Sequence, residues 1–193
     1  MTFSSQQLNT IFFTQGCSVD ILKKRTPKGS SFISLVPLFG PLMSSFTPQI
    51  DEEIRQKVQS LAAFEENLLG KTLGIRFEYL SKDCVTASLE VSPAVHQPFG
   101  ILHGGVSVAL AETVASVAAW LQVDERTQYV VGMEINANHL TAVRSGRIIA
   151  TATPIKRGKT IQVWDVSIDH EDQRKVCHSR CTLMTLPLPE SAS

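Results

Sequence analysis

Little in this chain draws it toward a charged partner. Its 18 basic and 18 acidic side chains cancel to zero formal charge over 193 residues. Without net charge or a basic stripe there is no electrostatic footprint for nucleic acid or an anionic membrane surface. An unbroken apolar run of about 18 residues is also missing, which excludes a membrane-spanning helix. The five histidines and four cysteines (Cys17, Cys84, Cys177 and Cys181) show no metal-ligand spacing, and neither Cys-x-x-Cys nor His-Glu-x-x-His occurs. Neither phosphate-cradling pattern, Gly-x-x-x-x-Gly-Lys or Gly-x-Gly-x-x-Gly, is present. The composition thus implies no metal and no cofactor. With no secretory signal evident, reduced thiols in a cytoplasmic setting are expected.

Acids are scarce in residues 1–46, where Asp20 stands alone against Lys23, Lys24, Arg25 and Lys28. Serines are frequent there, and Pro27, Pro37, Gly40 and Pro41 break any long periodicity. Three readings stay open for this stretch: a disordered or loosely docked extension, a misplaced start with Met43 or a later residue as the true first one, or an organelle transit segment. No chemistry is assigned to it. Residues 47–193 suit one domain, and an apolar share of 43% is ordinary for a globular chain.

Thr47-Pro48 has the residues of a helix start. Ile54, Val58, Leu61, Ala62 and Leu68 then recur at helical spacing, and Gly70 is a candidate stop. Strands are expected over 72–80 and 83–92, joined as a hairpin at Ser81-Lys82-Asp83. In the second, Val85, Ala87, Leu89 and Val91 alternate with Thr86, Ser88 and Glu90. Four more strands are expected over 128–140, 146–157, 159–169 and 174–186. Their short connections predict an antiparallel sheet. The even spacing of Cys177 and Cys181 puts both on one strand face, where packing is the expected role.

Between the two groups of strands lies the stretch that organises the chain. His96 to Gly105 is a loop punctuated by Pro98, Gly100, Gly104 and Gly105. Val106 to Leu121 follows as one helix, apolar on nearly every side and so expected to be buried all round. One carboxylate, Glu112, stands in it. Burial raises a carboxylate pKa, as a general base requires. Ser116, four residues on, shares its face; it is either a hydroxyl partner or a small residue where the helix crosses the sheet. The first N–H groups of the helix lack internal partners and carry the positive end of the dipole. Gly104 and Gly105 would let a carbonyl oxygen approach them, as in an oxyanion hole, or they serve only the turn. His103 positions substrate or is structural, and Gln97 offers both donor and acceptor. Gly105-Val106-Ser107-Val108-Ala109 lacks the closing glycine of a nucleophile elbow. The fold class these elements imply is α+β, an antiparallel sheet of about five or six strands wrapped around one long buried helix.

The stretch Gln97-Pro98-Phe99-Gly100-Ile101-Leu102-His103-Gly104-Gly105, with Ala111-Glu112-Thr113 and Ser116, resembles the hotdog-fold acyl-CoA thioesterases. It is most similar to the subgroup that holds 1,4-dihydroxy-2-naphthoyl-CoA hydrolase of menaquinone synthesis and the proofreading thioesterase of enterobactin synthesis. Gly132 to His139 and Gln162-Val163-Trp164 share the likeness, which runs from about residue 70 to 186. The resemblance implies a hotdog fold and a homodimer or dimer of dimers, with active sites across the interface. It implies an acyl-CoA substrate, an aromatic acyl group included, and no cofactor beyond the CoA of the substrate. Glu112 would be nucleophile or general base, and Gly104 or Gly105 would polarise the thioester carbonyl. Gln97, His103 and Ser116 would complete the catalytic set, with His139 in the CoA or acyl site. The chain departs from the pattern after His139: Leu140-Thr141 follow where a basic residue is expected, and Arg144 comes later. Arg144, with Lys156, Arg157 and Lys159 around Gly158, are therefore candidates for the CoA phosphates, or the last three simply make a solvated turn. Two other functions compete: a hydratase or dehydratase of the same fold, and a non-catalytic acyl-CoA-binding module. The hydratase pattern Asp-x-Asn-x-x-His is absent, and loss of Glu112 would mark the binding module.

Overall fold

The computed structural model describes residues 48–61 and 69–189. The expected extension over 1–46, with Cys17 and Met43, and the stripe residues Ala62 and Leu68 lie outside them.

No helix starts at Pro48. The chain enters as a short strand, β1 (Gln49–Ile50), pinned by Asp51 N–H to Leu80 O at 3.0 Å. A single 3-10 turn, Glu52–Ile54, then leads into α1 (Arg55–Leu61). Gly70 does not end a helix but lies inside α2 (Leu69–Leu73), and the stop is Gly74, whose φ of 72° is a conformation glycine adopts without cost. The strand expected from residue 72 therefore begins later, as β2 (Arg76–Leu80), and pairs antiparallel with β3 (Val85–Val91).

After β3 come the two-residue strands β4 (His96–Gln97) and β5 (Ile101–Leu102), which pair only with each other. The long helix α3 (Gly104–Trp120) follows, then β6 (Gln128–His139), β7 (Gly146–Arg157), β8 (Ile161–His170) and β9 (Lys175–Pro187). The main sheet runs β1-β2-β3-β7-β8-β9-β6. The short β1 joins β2 in parallel; every other neighbour is antiparallel. Six strands of five residues or more thus make the wrapped sheet that the sequence implied.

Period 2 decides the inner face. Ile148, Ala150 and Ala152 of β7, Trp164, Val166 and Ile168 of β8, and Cys177, Cys181 and Leu183 of β9 are buried and face α3. From the helix side come Leu110, Ala111, Val114, Ala115, Ala118 and Ala119. The alanines let the helix axis sit close to the strands. Gln162, 1% exposed, donates to Ala119 O at 3.1 Å and accepts from Trp164 Nε1 at 3.3 Å, fixing the far end of α3 to β8. Lys57 of α1 caps the same end, donating to Trp120 O at 2.7 Å and to Val123 O. Its ammonium also sits 4.5 Å from the Trp120 ring centroid.

The helix is not buried all round within one chain. Gly105 and Glu112 are exposed, and Val108, Ala109, Thr113 and Ser116 are half-buried. The cause is topological: among the described residues the sheet stops at β6, which has β9 on one side and no strand on the other. Cys177 and Cys181 are free and buried on the inner face, but Cys84 is disulfide-bonded, contrary to the expectation of reduced thiols. No described helix is long and apolar enough to cross a membrane.

Candidate active site

The helix start is built by its own loop. Gln97 Oε1 accepts from Phe99 N–H at 2.7 Å, and Gly100, at φ 69°, closes the turn between β4 and β5 by donating to Gln97 O at 2.9 Å. Leu102 N–H donates to Val143 O at 2.7 Å and His103 N–H to Val95 O at 2.9 Å, so the loop is fixed on both sides. Arg144 reaches back to the carbonyls of Phe99 and Gly100 at 3.4 and 3.3 Å, and its own carbonyl meets His96 Nε2 at 2.9 Å. Arg144 thus fastens the turn that presents Gln97.

His103 is the N-cap of α3. Its Nδ1 accepts from Gly105 N–H at 2.9 Å, which places the ring proton on Nε2. Val106 N–H donates to His103 O at 2.9 Å. Of the first three helical N–H groups, the one at Gly104 is left without a partner among the described residues. Against the Cα side of Gly104 lies His139 from the end of β6. A Cβ at Gly104 would meet His139 Nε2 at 2.8 Å and Cε1 at 3.1 Å, so glycine is what lets the imidazole and the helix start touch.

Glu112 lies two turns further along α3, about 12 Å by helical rise. It is exposed in the single chain, not buried as the apolar helix implied. No hydrogen bond or ion pair to it forms among the described residues. Its carboxylate rests against the main chain of β6 instead: a Cβ at Gly132 would stand 2.5 Å from Glu112 Oε1 and 3.6 Å from Cδ. Cys181 on β9 is buried, and its thiol is pushed up to about 12, first by burial and then by the charges of Glu112 and Glu134. Ser116 shares the bare face of α3 with Glu112.

One strand, β6, therefore carries both backstops, His139 for Gly104 and Gly132 for Glu112. Gly132 was quoted in the resemblance but given no role from sequence. An isolated glycine inside a strand pattern is the signal for it, since such a residue marks a bulge or a close approach. The remaining cationic candidates sit elsewhere. β7 starts beside the loop that carries Arg144 and ends at Lys156 and Arg157, twelve residues away, with Lys159 in the turn beyond. Arg157 pairs there with Asp83. Within one chain these three are not brought together with Gly104.

The thioesterase superfamily model matches residues 99–177, which span the loop, α3 and β6 to the start of β9. The 1,4-dihydroxy-2-naphthoyl-CoA hydrolase of Escherichia coli is 43% identical over 129 residues, 67% of this chain and 94% of that protein. This chain belongs to the thioesterase superfamily. It has the hotdog fold and is a thioester hydrolase. The proofreading thioesterase of Klebsiella pneumoniae is 40% identical over 121 residues, 63% of this chain and 88% of that one. A Staphylococcus aureus thioesterase, solved with a glutamate-to-alanine substitution, superimposes with a TM-score of 0.62 at 36% identity, covering 63% of this chain and 100% of that chain. The same thioesterase was also solved with a glutamine-to-alanine substitution, at a TM-score of 0.61.

Proposed function

We propose that this thioesterase hydrolyses an aromatic acyl-CoA to the free acid and CoA, with Glu112 as the reacting carboxylate and the Gly104 N–H as the donor to the thioester oxygen. One observation carries the reading: the open N–H at the α3 start and the uncovered carboxylate lie on the one helix that the sheet leaves bare on a side. The N–H points where charge develops on the carbonyl oxygen, a contribution of about 3–4 kcal/mol per donor in other enzymes. The Gly105 N–H already donates to the His103 ring, which favours Gly104 for that role. The thioester carbon is attacked either by Glu112, giving an anhydride that water opens, or by a water whose proton Glu112 takes. In both routes the C–S bond breaks and the sulfur leaves as the CoA thiolate. Gln97 and the Nε2–H of His103 are left to orient the thioester, and Ser116 the water or the carboxylate.

The aromatic acyl group is supported by the 1,4-dihydroxy-2-naphthoyl-CoA hydrolase relatives. The catalytic pair is supported by the Staphylococcus aureus thioesterase, whose two substituted residues, a glutamine and a glutamate, are separated by the same number of positions as Gln97 and Glu112. About 12 Å of helix between Gly104 and Glu112 is awkward for one reacting centre. A homodimer resolves it by setting Glu112 of one protomer against Gln97, His103 and Gly104 of the other. His139 and Arg144 then lie nearest the CoA end. Lys156, Arg157 and Lys159 reach that end only from the second protomer.

The test is Glu112→Gln in a thiol-release assay over a panel of aromatic and aliphatic acyl-CoA esters. The side-chain shape stays and the charge goes, so kcat should fall at least about a hundredfold. KM should change little, because the carboxylate acts on the attack. A near-wild-type kcat would remove Glu112 from the chemistry, and a preference for aliphatic esters would remove the aromatic assignment.

A further inference from the structure

The geometry points to Gly132 as a positioning residue: the side chain it lacks is the seat of the Glu112 carboxylate. The inference rests on the reading of Glu112 as the reacting group.

A carboxylate that does chemistry must be held, yet Glu112 is exposed and has no hydrogen-bond or ion-pair partner among the described residues. What confines it on one side is the main chain of β6 at Gly132, with Oε1 2.5 Å from where a Cβ would stand. That is closer than real Cβ atoms come to a neighbour, so any side chain at 132 forces the carboxylate out of place.

Two features say that the glycine is there for space. Its φ is not in the left-handed region, unlike Gly74, Gly100 and Gly146, so the backbone does not demand glycine. Gly132 also borders the one slip in the β6–β9 register, between Gly132 and Glu134. There Met133 is the extra residue, and bulges are where strands re-aim what faces them. A glycine inside a strand is less stable than an alanine there. The backbone would accept alanine, so the feature that calls for glycine here is the approach of the carboxylate.

Stability and activity should therefore part company. In Gly132→Ala the clashing atom is the tip of a flexible side chain, which can swing away, so the fold is kept and the melting temperature holds or rises. The displaced carboxylate lowers kcat by about tenfold to a hundredfold, the scale of a 1 Å misplacement, while KM moves less than about threefold. Glu112→Asp withdraws the carboxylate by one methylene, out of reach of the added Cβ. In that background Gly132→Ala should change kcat less than about twofold, whereas damage to the strand would multiply through both backgrounds.

The deciding experiment is this four-variant cycle together with a crystal structure of Gly132→Ala. A carboxylate displaced by about 1 Å or more and a kcat loss confined to the Glu112 background bear the inference out. An unmoved carboxylate, an unchanged kcat, or an equal loss in both backgrounds overturns it. Glu112→Gln keeps the two readings apart. If that variant stays active, the catalytic role of Glu112 falls, and the crystal structure still decides whether Gly132 seats the carboxylate. If it is inactive while Gly132→Ala is not, the seat alone falls.

Discussion

Glu112, Gly104 and Cys181 show how single residues take their roles from what lies next to them. Glu112 stood out in the sequence because it is the one charge in an apolar helix. What touches it, the bare backbone at Gly132, came from β6 and had no trace in its own neighbourhood. Gly104 and Gly105 were equivalent on paper, and the ring of His103 decides between them by taking the second N–H. Cys181 leads to a pH prediction. Its thiol is raised from 9.0 to about 12 in the folded chain, chiefly by burial. The folded state then keeps a proton that the unfolded chain gives up above pH 9, so stability is unaffected below that pH and falls as pH rises toward 12. The slope is at most about 1.4 kcal/mol per pH unit. Cys177, also raised by burial, acts in the same direction. Urea midpoints at about pH 8 and about pH 10.5 should therefore diverge less in Cys181→Ala than in the wild type. Equal alkaline loss in both would contradict the buried thiol as its source.

At the scale of elements, α3 is held differently at its two ends. The start is fixed by backbone bonds from β5 and by the His103 cap, the end by Lys57 and Gln162. Lys57 carries the larger load. It is mostly buried beneath Trp120, and that burial lowers its pKa against the pull of Glu125 at 3.3 Å. Lys57→Met keeps the stem and removes the donor to two helix-end carbonyls. It should cost about 1.5–3 kcal/mol in chemical denaturation, the range for hydrogen bonds to a charged group, with kcat unchanged because the far end of α3 lies away from the proposed site. A loss of kcat without a loss of stability would show that the clamp reaches the active site. The element that the sequence misjudged is the first one. A proline after threonine marks a helix start when backbone neighbours are absent. Here the Leu80 carbonyl captures the entering chain and makes residues 49–50 a strand.

For the whole molecule, the open question is what meets β6 and the bare side of α3. β6 is twelve residues long with one free edge, and Tyr129, Val131 and Met133 are exposed on it. A long free edge that exposes apolar side chains is a template for another chain. Pairing two copies would also cover Val108, Ala109 and Thr113. The expected outcome is a homodimer in light scattering at micromolar concentration. The shared site has its own check: mixing inactive Glu112→Gln with inactive His103→Ala protomers should restore part of the activity, since mixed dimers carry one intact site. No recovery in verified mixed dimers would place each site within a single chain.

By itself the sequence determined the strand and helix pattern after residue 83, the wrapped-sheet class and the loop-helix stretch in which the proposed site lies. These follow from local periodicity and from turn residues, which neighbours in the chain decide. Only the tertiary structure decided that Glu112 is exposed, that Gly104 keeps the free donor and that Gly132 faces the carboxylate. It alone also separated Lys156, Arg157 and Lys159 from the helix start. Each of these depends on which strand closes the sheet and where it ends. That is set by pairings between residues distant in the chain, and no window of sequence contains both partners.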